Sequence, residues 1–266
     1  MEPVVLFRKG YEQEEEFNIA KEYFRVVEYR SEIPANSLVI PRYSALPFYK
    51  ELEVDVTNLG STLINSHIGH LWIADFDYYH DLKGYTPRSW TESEFAYCDE
   101  EGPFVLKGLT NSRKFRWNTH MFAETKRQAV AIGAELMQDP LISQQGIIYR
   151  KYIPLKTFEI GINGLPFTNE FRFFFYKETI LAYGFYWSTM ENLELGKISD
   201  EGIQLAKDVA KIASQHVDFF VLDVAEKQEG GWILIEINDG QMSGLSEINP
   251  HVLYSSLNET LNGQVS

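Results

Sequence analysis

The 266-residue chain has little cysteine and no long apolar run. Its single cysteine, Cys98, excludes an intrachain disulfide and favours a reducing compartment. No stretch approaches the roughly 18 apolar residues that a membrane-spanning helix needs. The first residues, Met-Glu-Pro, lack the charged and then apolar pattern of a signal peptide. We therefore expect a cytoplasmic protein with no membrane partner.

Basic residues are also scarce. Lysine and arginine number 24 against 38 acidic residues, which gives a formal net charge of −14. Because affinity for nucleic acids depends largely on neutralising phosphates, this balance argues against DNA or RNA as the partner, although a local basic cleft stays open. The apolar content of 44% is that of a globular protein with a proper core.

Several well-known sequence motifs are missing. The chain has no Gly-x-Gly-x-x-Gly, Gly-x-x-x-x-Gly-Lys or Gly-x-Ser-x-Gly pattern, so dinucleotide-binding, P-loop and hydrolase functions lose support. Its six histidines show no zinc-like spacing. We expect the closest pair, His67 and His70, to be structural or to face solvent.

A hairpin near the C-terminus carries the most chemistry. Two apolar, β-prone runs, 219–224 and 232–238, are joined by a Gly-Gly turn. Because strand side chains alternate between faces, Glu236 and Asn238 point the same way, and Asp223 on the partner strand can converge with them. Two carboxylates and an amide oxygen are hard ligands of the kind that Mg²⁺ prefers beside nucleotide phosphates. We therefore predict a metal site at Asp223, Glu236 and Asn238.

A second candidate is a basic segment. Lys107 ends the apolar strand 104–107, where a buried lysine needs an anionic partner. The loop that follows can close over phosphates, although the alternative is an exposed basic turn. Its candidate phosphate ligands are Asn111, Ser112, Arg113 and Lys114.

A third candidate is an aromatic hairpin over 170–187. Its arginine, Arg172, is either a surface residue stacked on aromatic rings or a buried phosphate clamp. Another strand ends at 150–154 with a proline, which leaves backbone groups free to recognise an adenine edge.

The order of elements divides the chain near residue 100. The first part reads as strand, helix, strand, which predicts a small α/β layer, and the polar stretch 91–102 reads as a connector. The second part has helices over 121–138 and 200–215 that are segregated from antiparallel hairpins, which predicts an α+β fold. The predicted domains are 1–100 and 101–266.

Taken in order, these segments resemble the ATP-grasp superfamily, and the tail 236–245 resembles an uncharacterised bacterial and phage branch of it. The resemblance covers residues 100–255. It implies that two α+β subdomains enclose ATP after a small α/β domain. It also implies that Lys107 and Arg172 are catalytic and that Asp223, Glu236 and Asn238 hold Mg²⁺. The implied ATP contacts are Lys107, Asn111, Ser112, Arg113, Lys114, Arg150, Lys151, Tyr152, Ile153 and Arg172.

The implied activity is an ATP-dependent ligase that joins a carboxylate to an amine or thiol. Such an enzyme phosphorylates the carboxylate, releases ADP and lets the nucleophile displace phosphate. The expected partners are small-molecule or peptide substrates, and a homodimer is compatible with the sequence. The alternatives are a catalytically silent nucleotide-binding regulator, and a kinase or nucleic-acid ligase of related fold.

Some positions depart from the superfamily pattern. Bulky residues at 113–117 replace the usual glycine-rich loop, and Arg150 stands where relatives often carry an acid. Lys83 is a candidate for an additional lysine of the relatives. Arg42 either binds a substrate carboxylate or is a surface residue. We expect the acceptor pocket to draw on the N-terminal part and on 243–246.

Overall fold

A computed structural model describes residues 1–8, 14–140, 142–187 and 196–263, which form four β-sheets with helices packed against them. The strands are β1 (Glu2–Phe7), β2 (Arg25–Val27), β3 (Ser37–Arg42), β4 (Thr62–Leu63), β5 (Ser89–Thr91), β6 (Phe104–Gly108), β7 (Phe122–Ala123), β8 (Ile147–Lys151), β9 (Thr157–Ile160), β10 (Pro166–Thr168), β11 (Glu170–Tyr176), β12 (Thr179–Phe185), β13 (Phe219–Glu226) and β14 (Trp232–Asp239). The helices are α1 (Glu14–Tyr23), α2 (Tyr49–Asn58), α3 (His67–Ala74), α4 (Tyr78–Leu82), α5 (Glu92–Phe95), α6 (Lys126–Leu136), α7 (Asp200–Ala213) and α8 (Pro250–Gly263).

The N-terminal sheet is parallel, in the order β2-β1-β3-β4, as expected for strands joined by helical crossovers. Side chains of β1 alternate between two cores. Val4 and Leu6 pack with α2, whereas Val5 and Phe7 pack in a core that also holds side chains of α1 and α8. The predicted α/β layer is therefore present.

The central sheet is antiparallel, in the order β5-β8-β6-β7, and α6 packs against it. The prediction of a connector over 91–102 is wrong for its first residues. Thr91 ends β5, and Phe95 is 2% exposed and stacks on Tyr149 with ring centroids 4.0 Å apart. The polar neighbours of Phe95 hid one apolar residue that is enough to seat a turn of helix. The boundary between 1–100 and 101–266 stays a prediction.

The C-terminal sheet, in the order β12-β11-β13-β14, is antiparallel and buried on both faces. Phe171, Phe173 and Phe175 enter a core with α7, while Phe174 and Tyr176 enter the core shared with β1, α1 and α8. This alternation and both hairpins match the sequence prediction.

Two predicted helices are shorter than expected. The helix predicted over 121–138 begins only at Lys126, because residues 117–121 form a π-helical turn and Thr125 accepts a hydrogen bond from the Gln128 amide. The helix predicted over 200–215 ends at Ala213. None of the helices in the described ranges is long and apolar enough to cross a membrane.

Candidate functional site

Three charged side chains form a row across the C-terminal sheet. Arg172 on β11 lies opposite Asp223 on β13, and Asp223 lies opposite Glu236 on β14. Residues directly opposite each other in antiparallel strands share a face, so the three side chains project together. The register shifts immediately beyond this row, between Asp223 and Val224. The predicted convergence of Asp223 with Glu236 is therefore present.

Arg172 and Asp223 form a bidentate ion pair. Arg172 Nε donates to Asp223 Oδ1 and Nη2 donates to Oδ2, both at 2.8 Å, and Nη1 donates to the Gly244 carbonyl at 2.9 Å. Burial lowers the pKa of Arg172, but Asp223 outweighs it and holds that pKa above the usual value. Asp223 is 1% exposed. Of the two interpretations of Arg172, the buried clamp fits this geometry, and the guanidinium also lies 4.8 Å from the centre of the Tyr186 ring.

The third member of the row is paired across sheets. Lys107, near the end of β6, donates from Nζ to Glu236 Oε1. Burial and Glu236 act in opposite directions on the lysine, and burial wins, so the pKa of Lys107 is lowered. Burial favours the protonated form of Glu236, but Lys107 and then Lys114 outweigh it and lower the pKa of Glu236 to about 2. This pair joins the central and C-terminal sheets at the site.

Lys114 brings the basic loop into contact with the same sheet. Its Nζ donates to Tyr186 Oη and lies 4.2 Å from the centre of that ring. Burial lowers the pKa of Lys114, but Tyr186 and Glu170 raise it above the usual value. Glu170 behaves in the opposite way to Glu236, because burial raises its pKa to about 7 despite Lys114. The two carboxyl groups thus hold different protonation states at neutral pH.

A cleft of about 700 Å³ opens beside this row. It is bounded by the basic loop, the end of β14, the segment that follows β14, and α3. The predicted site residues that line it are Asn111, Ser112, Lys114, Arg172, Glu236 and Asn238.

Three predicted site residues do not line the cleft. Lys107 reaches it only through Glu236, and Asp223 lies behind Arg172. Arg113 turns away, because Nε and Nη2 both donate to Asp139. The candidate lysine Lys83 is exposed at the end of α4.

A separate slot of about 110 Å³ holds the other predicted group. Arg150, Lys151, Tyr152 and Ile153 line it together with apolar side chains that include Val105, Trp117 and Ile235. Consecutive residues of β14 thus serve the two pockets, since Ile235 lines the slot and Glu236 lines the cleft.

Arg150 is partly occupied within the protein. Its Nε donates to Ser89 Oγ at 3.1 Å and Nη1 donates to the Ile235 carbonyl, while Nη2 is buried without a partner. A buried donor without a partner is costly unless something satisfies it. A ligand in the slot that carries an acceptor would satisfy Nη2.

The donors fit a hard metal ion. Within the described ranges no three His, Cys, Asp or Glu side chains come together as a metal site. Glu236 and Asn238 both line the cleft, however, and among the described residues the Asn238 side chain has no hydrogen-bond partner. Mg²⁺ is commonly held by one or two protein oxygens together with phosphates, which is the set that these two residues supply. Asp223 could join them only if Arg172 released one of its oxygens.

Sequence reasoning missed several residues of the cleft. Tyr186 contacts both Lys114 and Arg172, and its position beyond β12 was a local indication that the sequence offered. His70 is 2% exposed and lines the cleft beside Asp239, so it does not face solvent as the alternative in the sequence prediction allowed. The 169 residues between His70 and Asp239 explain why no local pattern showed this.

Arg42 proves to be neither a surface residue nor a ligand for a substrate carboxylate. It is 6% exposed and donates from Nη2 to Glu16 Oε1 at 2.6 Å. Nη1 donates to the carbonyls of Gly240 and Ser243 at 2.5 and 3.1 Å, so Arg42 supports the segment that lines the cleft.

Comparison with known proteins identifies the family. The sequence model of an ATP-grasp domain family, described as family 3 of its clade, matches residues 95–257. The chain belongs to this family. No curated protein matches this ATP-grasp protein.

Solved structures share its fold over the whole chain. The ATP-grasp ligase PsnB, complexed with precursor peptide PsnA2 and AMPPNP, is 12% identical with a TM-score of 0.57, over 100% of this chain and 97% of that one. A RimK domain ATP-grasp protein from Sphaerobacter thermophilus is 14% identical with a TM-score of 0.58, over 96% and 98%. D-alanine–D-alanine ligase from Bacillus anthracis, complexed with ATP, is 9% identical with a TM-score of 0.54, over 90% and 86%. The predicted ATP-grasp fold and α+β class are confirmed.

Proposed function

We propose that this ATP-grasp protein is an ATP-dependent ligase that activates a carboxylate as an acyl phosphate and joins it to an amine or thiol. ATP is converted to ADP in the first step, and inorganic phosphate leaves in the second. Family membership and the ligases among the structural neighbours support ATP-dependent ligation. The site geometry supports the choice of chemistry.

The observation that carries the proposal is the row of Arg172, Asp223 and Glu236 with Lys107 behind it. Two cations and two carboxylates are held in a buried setting at the wall of a cleft, beside a slot lined by apolar groups. Phosphoryl transfer needs little covalent help from a protein and depends mainly on positioning and on cations that face the transferred group. A cleft with fixed cations next to a small apolar slot suits the phosphates and the base of a nucleotide.

Each cation has a distinct role in this proposal. Arg172 and Lys114 line the cleft, so they can hold the oxygens of the transferred phosphoryl group. Asp223 fixes the plane of the Arg172 guanidinium through two hydrogen bonds, which fixes the donors before the reaction begins. Lys107 holds Glu236 in the ionised, metal-binding form.

Glu236 and Asn238 would hold Mg²⁺, with Asp223 as the further predicted ligand. The ion would supply positive charge against the phosphate oxygens. The segment Arg150–Ile153 would bind the base in its slot, and Asn111 and Ser112 would donate to phosphates. Arg113 would contribute to the loop through Asp139 and not by direct contact with ATP.

The cleft is larger than the metal and phosphates require, which leaves space for a second substrate. Its far side carries Leu46, Pro47 and Met242 together with Ser243 and Gly244. The acceptor pocket therefore draws on the N-terminal part and on the segment from 243, as the sequence predicted. A cleft of this size falls within the range of small-molecule and short-peptide sites.

The test is release of ADP from ATP, screened against amino acids and short peptides with and without Mg²⁺. We expect release that depends on both an acid and Mg²⁺, and we expect Glu236→Ala to abolish it because the ion loses its carboxylate. Glu229→Ala, the same change in the exposed turn of the same hairpin, is the matched control and should keep full activity.

Other products would point elsewhere. AMP in place of ADP, with a stable lysyl-adenylate found by mass spectrometry, would support a nucleic-acid ligase. Binding of ATP without turnover for any acceptor would support a regulator. Unchanged ADP release in Glu236→Ala would refute the metal assignment.

A further inference from the structure

A histidine–aspartate pair lies at the wall of the cleft, apart from the row of charges. His70 on α3 and Asp239 at the end of β14 both line the cleft. Nδ1 of His70 lies 2.7 Å from Asp239 Oδ2, and their side chains are 3% and 2% exposed. The pair is therefore buried on all sides except toward the cleft.

The imidazole ring is held in one orientation. It stacks on the Tyr49 ring with centroids 4.1 Å apart and planes 4° from parallel. Tyr49 is itself fixed, because its Oη donates to the Asn65 carbonyl at 2.9 Å. The Asn65 side chain in turn donates to Asp239 Oδ1 at 3.0 Å. Both the ring and its carboxylate partner are thus anchored by neighbours that do not line the cleft.

These bonds determine which nitrogen of His70 is free. Asp239 Oδ1 already accepts from Asn65, and a carboxylate oxygen at 2.7 Å from a ring nitrogen acts as an acceptor, so Nδ1 carries the hydrogen. In the neutral ring Nε2 then bears a lone pair. Among the described residues nothing bonds to Nε2, and it is not one of the fully buried atoms without a partner. It therefore opens toward the cleft.

The other titratable side chains of the cleft wall are already engaged. Glu236 is paired with Lys107, and Tyr186 accepts a hydrogen bond from Lys114. Both oxygens of Asp239 accept hydrogen bonds. Within the described part of the chain, His70 is the titratable group of the wall that keeps an accepting lone pair free. The titratable side chains that line the cleft are His70, Lys114, Arg172, Tyr186, Glu236 and Asp239.

We propose that His70 is a catalytic residue of the second step, in which Nε2 accepts a proton from the attacking amine while Asp239 positions the ring. This inference rests on the proposed ligase function. The nitrogen of the amine forms a bond to the carbonyl carbon of the acyl phosphate and passes one proton to Nε2. The bond from that carbon to the phosphate oxygen breaks, and inorganic phosphate leaves with its electron pair. A purely structural ring would need no nitrogen: phenylalanine could stack on Tyr49 equally well.

The two steps of the reaction can be separated with hydroxylamine. It is largely uncharged at neutral pH and attacks acyl phosphates without a base, so hydroxamate formation reports the first step alone. The acid that gives the largest ADP release in the screen above is used with its amine and, in parallel, with hydroxylamine. In His70→Gln we expect amide formation to fall by about 10²–10⁴-fold while hydroxamate formation and the KM for ATP stay unchanged.

The matched control is His67→Gln, the same substitution one turn earlier on α3 at a residue that does not line the cleft. It should leave both products unchanged. Amide formation at the wild-type rate in His70→Gln overturns the proposal. An equal loss of amide and hydroxamate also overturns it, because His70 would then act in the first step or in folding. If the wild-type protein releases no ADP with any acid, the ligase function fails as well, which is a different result from the failure of His70 alone.

A second measurement does not depend on a substrate. Nitrogen NMR of the histidine side chains should show neutral His70 with its hydrogen on Nδ1. Asp239→Asn should reverse this, because an asparagine amide can donate to Nδ1 and leave the hydrogen on Nε2. A wild-type ring with its hydrogen on Nε2 would overturn the proposal whatever the activity.

Discussion

Glu170 and Glu236 show how one sheet can hold two carboxyl groups in opposite states. Both lie near Lys114, yet the pKa of Glu170 is raised to about 7 and that of Glu236 is lowered to about 2. The difference comes from the nearest partner: Glu236 receives a hydrogen bond from the Lys107 ammonium, whereas Glu170 receives one from the Thr168 hydroxyl at 3.2 Å. A neutral hydroxyl does not offset the loss of hydration that burial imposes on a carboxylate.

Stability should report the state of Glu170. A carboxyl group whose folded pKa is raised binds more protons in the folded than in the unfolded state, so its contribution to stability is full below about pH 4 and is lost as pH rises through about 7. Glu170→Gln removes this loss. We expect the variant and the wild type to have similar free energies of unfolding at pH 5, and the variant to be more stable by up to about 3 kcal/mol at pH 8. Urea unfolding at both pH values measures the difference. A difference that does not change with pH would contradict the raised pKa.

The helix α6 shows packing that sequence propensity conceals. Gly133 sits inside this helix, where alanine would normally stabilise by about 1 kcal/mol. A Cβ at this position would overlap Tyr149 Oη and lie 2.9 Å from Cζ, and the Tyr149 ring cannot withdraw because it stacks on Phe95. The glycine therefore sets how closely α6 approaches β8.

Gly133→Ala should consequently destabilise the protein, by about 1–3 kcal/mol, because overpacking exceeds the gain in helix propensity. Thermal unfolding followed by circular dichroism measures the change. Gly84→Ala, at a position with no atom within 4 Å of the added carbon, is the control and should change little. A stabilised Gly133→Ala variant would show that the helix can shift away from the sheet.

The elements differ in how well the sequence predicted them. The hairpins over 170–187 and 219–238 were predicted because period-2 alternation and Gly or polar turns are local patterns. The turn of helix that ends at Phe95 and the π-helical turn before α6 were not, because both depend on packing across the central sheet. The contacts made by Lys107 and Arg172 follow from strand register, which alternation indicates. The position of His70 depends on how α3 meets β14, and no local pattern shows that.

Across the whole molecule, a buried cluster joins the two ends of the chain. Glu16 on α1 accepts from Arg42 on β3 and from Tyr254 on α8, the last at 2.7 Å. Arg42 also holds the Gly240 and Ser243 carbonyls beside the cleft. The cluster therefore couples the N-terminal sheet and the C-terminal helix to one wall of the site.

We expect Glu16→Gln to cost roughly 3–5 kcal/mol, because it leaves the buried Arg42 charge without its partner. Since Arg42 supports the wall of the cleft, ADP release should fall along with stability. Glu15→Gln, an exposed neighbour in the same first turn of α1, is the control. Urea unfolding and the ADP assay check both effects. A variant with wild-type stability would mean that the carbonyls alone satisfy Arg42.

The core shared by β1, α1, β13 and α8 has a consequence for how the protein is made. Val5 and Phe7 leave the ribosome early in synthesis of this chain, yet the residues that cover them include Val221 and Leu253, which are made more than 200 residues later. The N-terminal sheet must therefore wait, with one apolar face uncovered, until the final helix emerges. A nascent chain stalled before β13 would present that face to chaperones, whereas the central sheet with α6 would already be closed.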